Sequence, residues 1–255
     1  MIRRNTGAAL ALAAILGIPG TFTNARAAAI VHRFNLELGA GFTSVAADNY
    51  NQQLDYTNIF LTSRGLQGLD HITYSFLYDA GVRFFVKPSF AVRAGVGQLR
   101  NQTKREYLPA IHQDINIRSE VFSIPIFVGG DYYFAPYNQG DFQARAFVGG
   151  GLMSQVTDRV TFQSYESGTD NTTTIFGTTS SSWQRDAPGW YGELGVHMFF
   201  AMRYSVVINA YYRSAKMNAL YDTKTKEPFL NPSDGQPFDL DLSGMGARMA
   251  LCIGL

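Results

Sequence analysis

Residues 71–86 read His-Ile-Thr-Tyr-Ser-Phe-Leu-Tyr-Asp-Ala-Gly-Val-Arg-Phe-Phe-Val. From Ile72 every second residue is apolar or aromatic (Ile72, Tyr74, Phe76, Tyr78, Ala80, Val82, Phe84, Val86). The face between them carries Thr73, Ser75, Leu77, Asp79, Gly81, Arg83 and Phe85. Alternation of period two marks a strand whose two faces meet different surroundings. The run outlasts the roughly 5–6 residues of an ordinary soluble strand. It suits a tilted membrane strand of about 9–11 residues with extensions at its ends.

The same pattern recurs along the chain. It is found from Phe34 to Phe42, from Phe90 to Gly97, from Ser123 to Phe134, from Phe142 to Leu152, from Trp190 to Phe200, from Tyr204 to Arg213, and from Met245 to Leu255. Eight strands are therefore predicted. The connections alternate in kind. Short turns fall around Pro88, Tyr137 and Met202, and long polar stretches cover Ser44 to Asp70, Arg100 to Asp114, Gln155 to Ala187 and Ala215 to Pro237. Short turns on one side and long loops on the other form the bacterial outer-membrane pattern, with the short turns periplasmic. The third connection is rich in Ser, Thr and Gly and reads as a mobile loop.

A soluble lipocalin-like barrel also alternates, but with its apolar face inward. Two features point the apolar face outward here. The other face is crowded with glycine as well as charge, which suits the confined interior of a small barrel. Aromatics also gather at two levels. Phe84, Phe90, Tyr132, Phe134, Phe142, Phe200 and Tyr204 flank the short turns, and Phe42, Tyr74, Phe122, Trp190 and Tyr212 stand near the long loops. Two aromatic belts around an aliphatic band are expected of a transmembrane barrel. The fold class read from the sequence is thus all-β, a closed antiparallel up-and-down transmembrane barrel of eight strands.

Composition agrees. The 255 residues carry a net charge of +1, which gives no electrostatic ground for a nucleic-acid partner. Arg3 and Arg4, the apolar run Ala8–Ile18, the break at Pro19-Gly20 and the small residues of Ala25-Arg26-Ala27 read as a secretory signal peptide over residues 1–27, leaving the barrel as 28–255. The apolar run is shorter than the about 20 residues a membrane helix needs. The location expected is the bacterial outer membrane. The single cysteine, Cys252, excludes a disulfide framework or thiolate cluster and reads as a small packed hydrophobe.

The polar face then lines a lumen. It holds Glu37, Asp79, Arg83, Arg93, Asp131, Arg145, Glu193, His197, Arg213 and Arg248. Eight strands leave an interior just wide enough for side chains, and buried charges there need partners. Rough registers pair Asp131 with Arg145, Glu37 with Arg248, and Glu193 diagonally with Arg213. Arg83 falls opposite Arg93, a like pair that calls for Asp79 or Asp131. The lumen reads as plugged by this network, with a narrow gated pore as the alternative. The loop tyrosines Tyr50, Tyr56, Tyr107, Tyr165 and Tyr221 are candidates for extracellular contacts or for packing the loops together.

Ile124-Pro125-Ile126 leading to Tyr132-Tyr133-Phe134, the Gly149-Gly150-Gly151 strand and the alternating C-terminal strand resemble the small outer-membrane β-barrel superfamily of the OmpA, OmpX and opacity-protein kind. The resemblance implies a structural, adhesive or surface-antigen role. It also implies contact with membrane lipid and lipopolysaccharide, and recognition of the last strand by the barrel-assembly machinery. In that family the last strand ends in an aromatic residue, and Leu255 departs from this. Some such barrels modify lipids, and His197, Ser205 and Glu193 are the residues such chemistry would draw on. No metal-ligand spacing, phosphate loop or nucleotide motif is present in the sequence, so no catalytic, metal or cofactor site is predicted. One irregularity remains: Phe238, Leu240 and Leu242 alternate in the opposite parity to Met245 onward. A bulge at Ser243-Gly244 would reconcile them, as would a segment rising beyond the membrane.

Overall fold

The computed structural model describes residues 32–110, 113–140, 142–170, 173–184, 186–200, 203–222, 224–230 and 235–255. The predicted signal peptide lies outside the described residues. In chain order the elements are β1 (Phe34–Ser44), α1 (Asp48–Ser63), β2 (Tyr74–Lys87), β3 (Phe90–Ala110), β4 (Gln113–Tyr133) and β5 (Tyr137–Gln139). There follow β6 (Phe142–Asp170), β7 (Thr173–Gln184), β8 (Ala187–Phe199), β9 (Tyr204–Met217), β10 (Tyr221–Asp222), β11 (Leu240–Asp241) and β12 (Gly244–Gly254). Among the described residues no helix is long and apolar enough to cross a membrane.

β1, β2, β3, β4, β6, β8, β9 and β12 each pair antiparallel with the next, and β12 pairs back onto β1. These eight staves make a closed ring. Passing from Asn35 through Arg83, Arg93, Gly129, Gly151, Tyr191, Arg213 and Gly244 brings the ladder back to β1 at the level of Val45 instead of Asn35. A ring that closes with such a stagger has strongly tilted strands. Closure leaves no unpaired edge among the staves, which hydrocarbon requires of any sheet that spans it.

The apolar face is the outer one. Leu36, Leu38, Phe76, Val96, Ile126, Val128, Leu152, Leu194, Ile208 and Met249 are all exposed, Leu38 at 60% and Leu152 at 69%. A continuous apolar surface wrapping a whole barrel is incompatible with water and fits lipid. Phe84, Phe90, Tyr132, Phe134, Phe200 and Tyr204 are exposed at the short-turn end, and Phe42, Tyr74, Trp190 and Tyr212 at the other. Charge resumes on the outer face just past the second belt, at Arg100, Lys104, Arg118 and Glu120. The lipocalin-like arrangement is thereby ruled out.

Glycine sets the wall-to-content spacing. A Cβ on Gly151 would run into the backbone carbonyl of Val128 on the neighbouring strand, and one on Gly39 would lie 2.6 Å from the Arg248 guanidinium. The lumen holds large side chains only because positions such as these are empty.

The long connections differ from the sequence reading. Ser44 to Asp70 contains α1. Arg100 to Asp114 is no loop but a continuation of the β3–β4 hairpin, paired out to Ala110 and Gln113. Gln155 to Ala187 is likewise the β6–β7 hairpin, paired from Arg159 and Gln184 to Asp170 and Thr173, and the mobile-loop expectation is corrected accordingly. Ser and Thr made that stretch look like a linker, yet β-branched threonines suit an extended ladder once β4 supplies a neighbour. The bulge expected at Ser243-Gly244 is also absent. Leu240 and Asp241 face Met217 and Lys216 in the same register that sets Gly244 against Arg213.

Leu38 lies at mid-height, between Ala80 and Leu251, and Met245 at the upper rim of the same wall. Leu38→Arg is expected to cost about 2–4 kcal/mol and Met245→Arg about 0–1 kcal/mol. Equilibrium refolding into lipid vesicles from urea checks this; equal costs would contradict the assigned membrane level.

Candidate functional site

The inward face divides into layers, each drawn from all around the ring. At the short-turn end Phe85, Tyr133 and Phe147 pack with Ala91, Val207, Ala250 and Cys252, and Phe199 leans against them. His197 stacks on Phe199 with ring centroids 4.0 Å apart. This aromatic layer lies across the short-turn end of the lumen.

Above it stands the charge network. All ten charged or ionisable residues assigned to the lumen are buried. Arg83 and Arg93 face each other in register. Glu37 lies between them, 3.3 Å from Arg83 and 3.7 Å from Arg93, and also 2.7 Å from Arg248. Arg83 is joined to Asp131 at 3.4 Å and donates to the Tyr133 hydroxyl at 2.6 Å. Arg93 donates to Glu193 at 2.5 Å, and Arg248 grips Asp79 with two nitrogens, Nε at 2.6 Å. Asn209 donates a further hydrogen bond to Glu193. Bidentate and shared contacts of this kind are what make buried ions tolerable.

Two expected pairings change. Asp131 faces Gly149, not Arg145, because β5 carries the hairpin on to Gln139 opposite Phe142 and moves its turn toward Gly140. Arg145 instead sits opposite His197, with its guanidinium 5.6 Å from the Tyr133 ring centroid. Glu193 does lie diagonal to Arg213, which faces Tyr191, but Arg213 donates through Nε to the Leu242 carbonyl at 2.7 Å and Glu193 is engaged by Arg93 and Asn209. Sequence reasoning followed charge and so passed over Tyr133, Tyr191, Asn209 and Tyr211, whose inward parity was readable in the same alternation.

His197 and Ser205 do meet, Nε2 to Oγ at 2.7 Å. Nδ1 lies 3.3 Å from an Arg83 nitrogen and 3.2 Å from the Tyr133 hydroxyl. A guanidinium can only donate, so Nδ1 accepts and Nε2 keeps its proton toward Ser205. A general base for a serine needs the opposite tautomer, with a carboxylate on Nδ1. Both side chains are buried beside the aromatic layer, and Glu193 is committed elsewhere. Among the described residues no group of His, Cys, Asp and Glu could hold a metal ion.

Over the charges lies a cavity of about 50 Å³ lined by Leu77, Asp79, Arg93, Phe127, Tyr191, Tyr211 and Arg248, among others. Arg93 also lies over the Phe127 ring at 4.7 Å. The cavity has room for only a few waters.

Beyond the rim, at the end with the long connections, lies a second hydrophobic core. Tyr50, Leu54 and Leu61 from α1 meet Leu69 and Ile72, Tyr107 and Ile115 from the β3–β4 hairpin, and Leu220, Phe238, Leu240 and Leu242. Val121, Val160, Ala187, Ala215 and Met217 at the tops of the staves form its floor. Phe238, Leu240 and Leu242 thus share the inward face of Gly244, Gly246 and Arg248, with no change of parity between them. Tyr50 is bonded to Ser119 and Tyr107 to the Gln67 carbonyl, so these two pack the cap. Burial pushes the Tyr50 phenol above its usual range. Tyr56 and Tyr221 remain exposed. On the outer rim burial raises the Glu120 carboxyl, but hydrogen bonds from Arg100 and Arg118 outweigh it and hold the group below the ordinary range.

Glu37→Gln deprives three guanidiniums of a shared charge and is expected to cost about 3–5 kcal/mol. Glu120→Gln on the exposed rim is expected to cost about 1 kcal/mol or less. The midpoint of heat-induced loss of the compact gel band, read beside urea unfolding, checks both; a Glu37→Gln barrel as stable as the parent would contradict the network's role.

No family model matches the chain, and no curated protein sequence does. Among solved structures, the N-terminal β-barrel domain of Pseudomonas aeruginosa OprF is 10% identical with a TM-score of 0.35, covering 86% of this chain and 96% of that one. Ail, the attachment invasion locus protein of Yersinia pestis, solved in complex with the heparin analogue sucrose octasulfate, is 14% identical with a TM-score of 0.33, again covering 86% and 96%. The membrane assignment stands on the barrel's own surface: a ring that closes without an edge, an apolar band turned outward and charge turned inward make this chain an eight-stranded transmembrane β-barrel.

Proposed function

We propose that this chain is a sealed surface anchor: a barrel that fixes itself in the outer membrane and holds a rigid β-platform outside it for adhesion or surface interaction. The observation that carries the reading is an aromatic layer below the charges and a loop-built apolar core above them, which together we read as sealing the lumen at both ends. An ion crossing this barrel would have to break both seals as well as the ion-pair network between them. Transport and lumenal chemistry are therefore poorly served, and what faces the outside is structured protein. β3, β4 and β6 each run as a single strand from the membrane wall into that platform, with one bulge in the β4–β6 ladder between Phe122 and Ile124.

The test has two readings on one preparation. In planar bilayers the barrel is expected to give no discrete openings. In a surface-adhesion assay, cells bearing the full chain are expected to adhere, and cells bearing a chain shortened between Phe162 and Ser181, which are cross-strand partners, are expected to lose it. Steady conductance, or adhesion untouched by the shortening, would overturn the reading.

A further inference from the structure

We propose that the free edge of β7 pairs antiparallel with the β7 edge of a second copy of this chain in an apposed membrane, joining two cell surfaces. The inference rests on the surface-interaction reading and names its partner.

Outside the membrane β3, β4, β6 and β7 form one sheet with two lateral edges. The edges are treated differently. On the β3 side the sequence supplies Lys104, Arg105, Glu106 and Pro109, the residue types that discourage strand addition. That side is also overlaid by the segment leading into β2: Arg105 bonds Asp70 at 2.9 Å, Tyr107 bonds the Gln67 carbonyl, and Asn101 bonds the Tyr74 carbonyl. On the far side, among the described residues, β7 pairs beyond β6 only at Trp183 and Gln184, with β10. Along the rest of its outer edge, residues 173–182, no strand pairs with it among the described residues. Its sequence, Thr-Thr-Ile-Phe-Gly-Thr-Thr-Ser-Ser-Ser-Trp-Gln over 173–184, contains no acidic or basic residue and no proline. A long, uncharged, unguarded edge is a template for another strand.

The occupant follows from symmetry and charge. A run of Ser and Thr brings no charge pattern with which to select a foreign peptide. A second β7 matches it in length and neutrality, and an antiparallel pair of identical strands closes on a two-fold axis without leaving a further edge to grow from. Like-charge repulsion across the pair is absent. The direction of the strand then fixes where the second copy stands. β7 returns toward the barrel along the same ladder as the staves, so two copies in one membrane hold their β7 strands parallel. An antiparallel pair needs a two-fold axis lying in the membrane plane, which sets the two membranes face to face.

The experiment uses full-chain barrels in lipid vesicles and reads vesicle clustering by light scattering. Three preparations are compared: wild type, Thr178→Lys/Ser180→Lys, and Thr178→Glu/Ser180→Glu. Thr178 and Ser180 pair on their inner side with Tyr165 and Gln163, so both belong to the exposed strand. Wild-type vesicles are expected to cluster. Each charged variant alone is expected to cluster at least roughly tenfold more slowly, because like charges meet across the two-fold axis. Mixing the lysine and glutamate variants is expected to restore clustering, which only mutual β7 pairing explains. The heat-shifted gel band of each variant verifies that its barrel is folded. Wild-type vesicles that stay dispersed, a lysine variant that clusters like wild type, or a mixture that stays dispersed would each sink the homotypic pairing. If the same barrels still adhere to an unrelated surface, the anchor reading survives that failure; if they adhere to nothing, both fall.

Discussion

Glu37 lies buried among three guanidiniums inside an eight-stranded barrel, and the rest of the barrel is arranged around the need to keep those charges paired. A membrane-spanning sheet has to close, and eight strands close around a space that only side chains can fill. Charges pointing into such a space exchange hydration for one another. Arg83, Arg93 and Arg248 share Glu37, and each holds a further carboxylate, Asp131, Glu193 or Asp79. The network therefore ties β1, β2, β3, β4, β8 and β12 across the diameter, not only along the wall. Glycines at positions such as 39 and 151 are part of the same solution, since a methyl group there would collide with the guanidinium or the opposite backbone.

The inward face continues from end to end of the staves, through a bulge between Val156 and Arg159 that moves β6 from odd to even inward positions, while its chemistry reverses. Within the lipid band it is polar, because the outward face is the one that must be apolar. Past the rim the outside is water, so the same inward positions become Val121, Val160, Met217, Leu240 and Leu242, and the outward ones become Arg100, Lys104 and Glu120. Burying each apolar side chain of that upper core contributes about 1.5–3 kcal/mol where the surroundings are aqueous. This is why connections that read as long polar loops fold into a helix and two tall hairpins over the barrel mouth.

That reversal also explains what the sequence made legible and what it hid. Strand number follows from alternation, as the stretch from Ile72 to Val86 already shows, and the outward direction of the apolar band follows from the glycine-rich opposite face and the two levels of aromatics. Which inward charges touch does not follow, because hairpin turns of unknown length set the register. Placing one turn near Asn138 and not near Gly140 was enough to put Arg145 opposite Asp131 when Gly149 belongs there. Phe238, Leu240 and Leu242 looked out of phase only because an apolar residue was assumed to face lipid. The long hairpins were missed for a related reason: a template of membrane length stops at the rim, and a Ser- and Thr-rich segment has no strand signal of its own until β4 and β6 supply the neighbours.

The continuity of β3, β4 and β6 across the rim decides what such a molecule can offer to its surroundings. A hydrogen-bonded ladder that starts in the lipid and ends well outside it cannot swing like a tethered loop, and the apolar cap braces it at the base. Rigidity in the free state lowers the ordering cost of any contact made by the exposed sheet. The same rigidity fixes the contact's direction relative to the membrane, since every strand of the platform inherits its slope from a stave. A flexible loop could meet a partner from any side. On the proposed reading this sheet meets a second copy along β7, the edge whose sequence carries no charge or proline and which, among the described residues, pairs beyond β6 only at its base, in the orientation the barrel below it imposes.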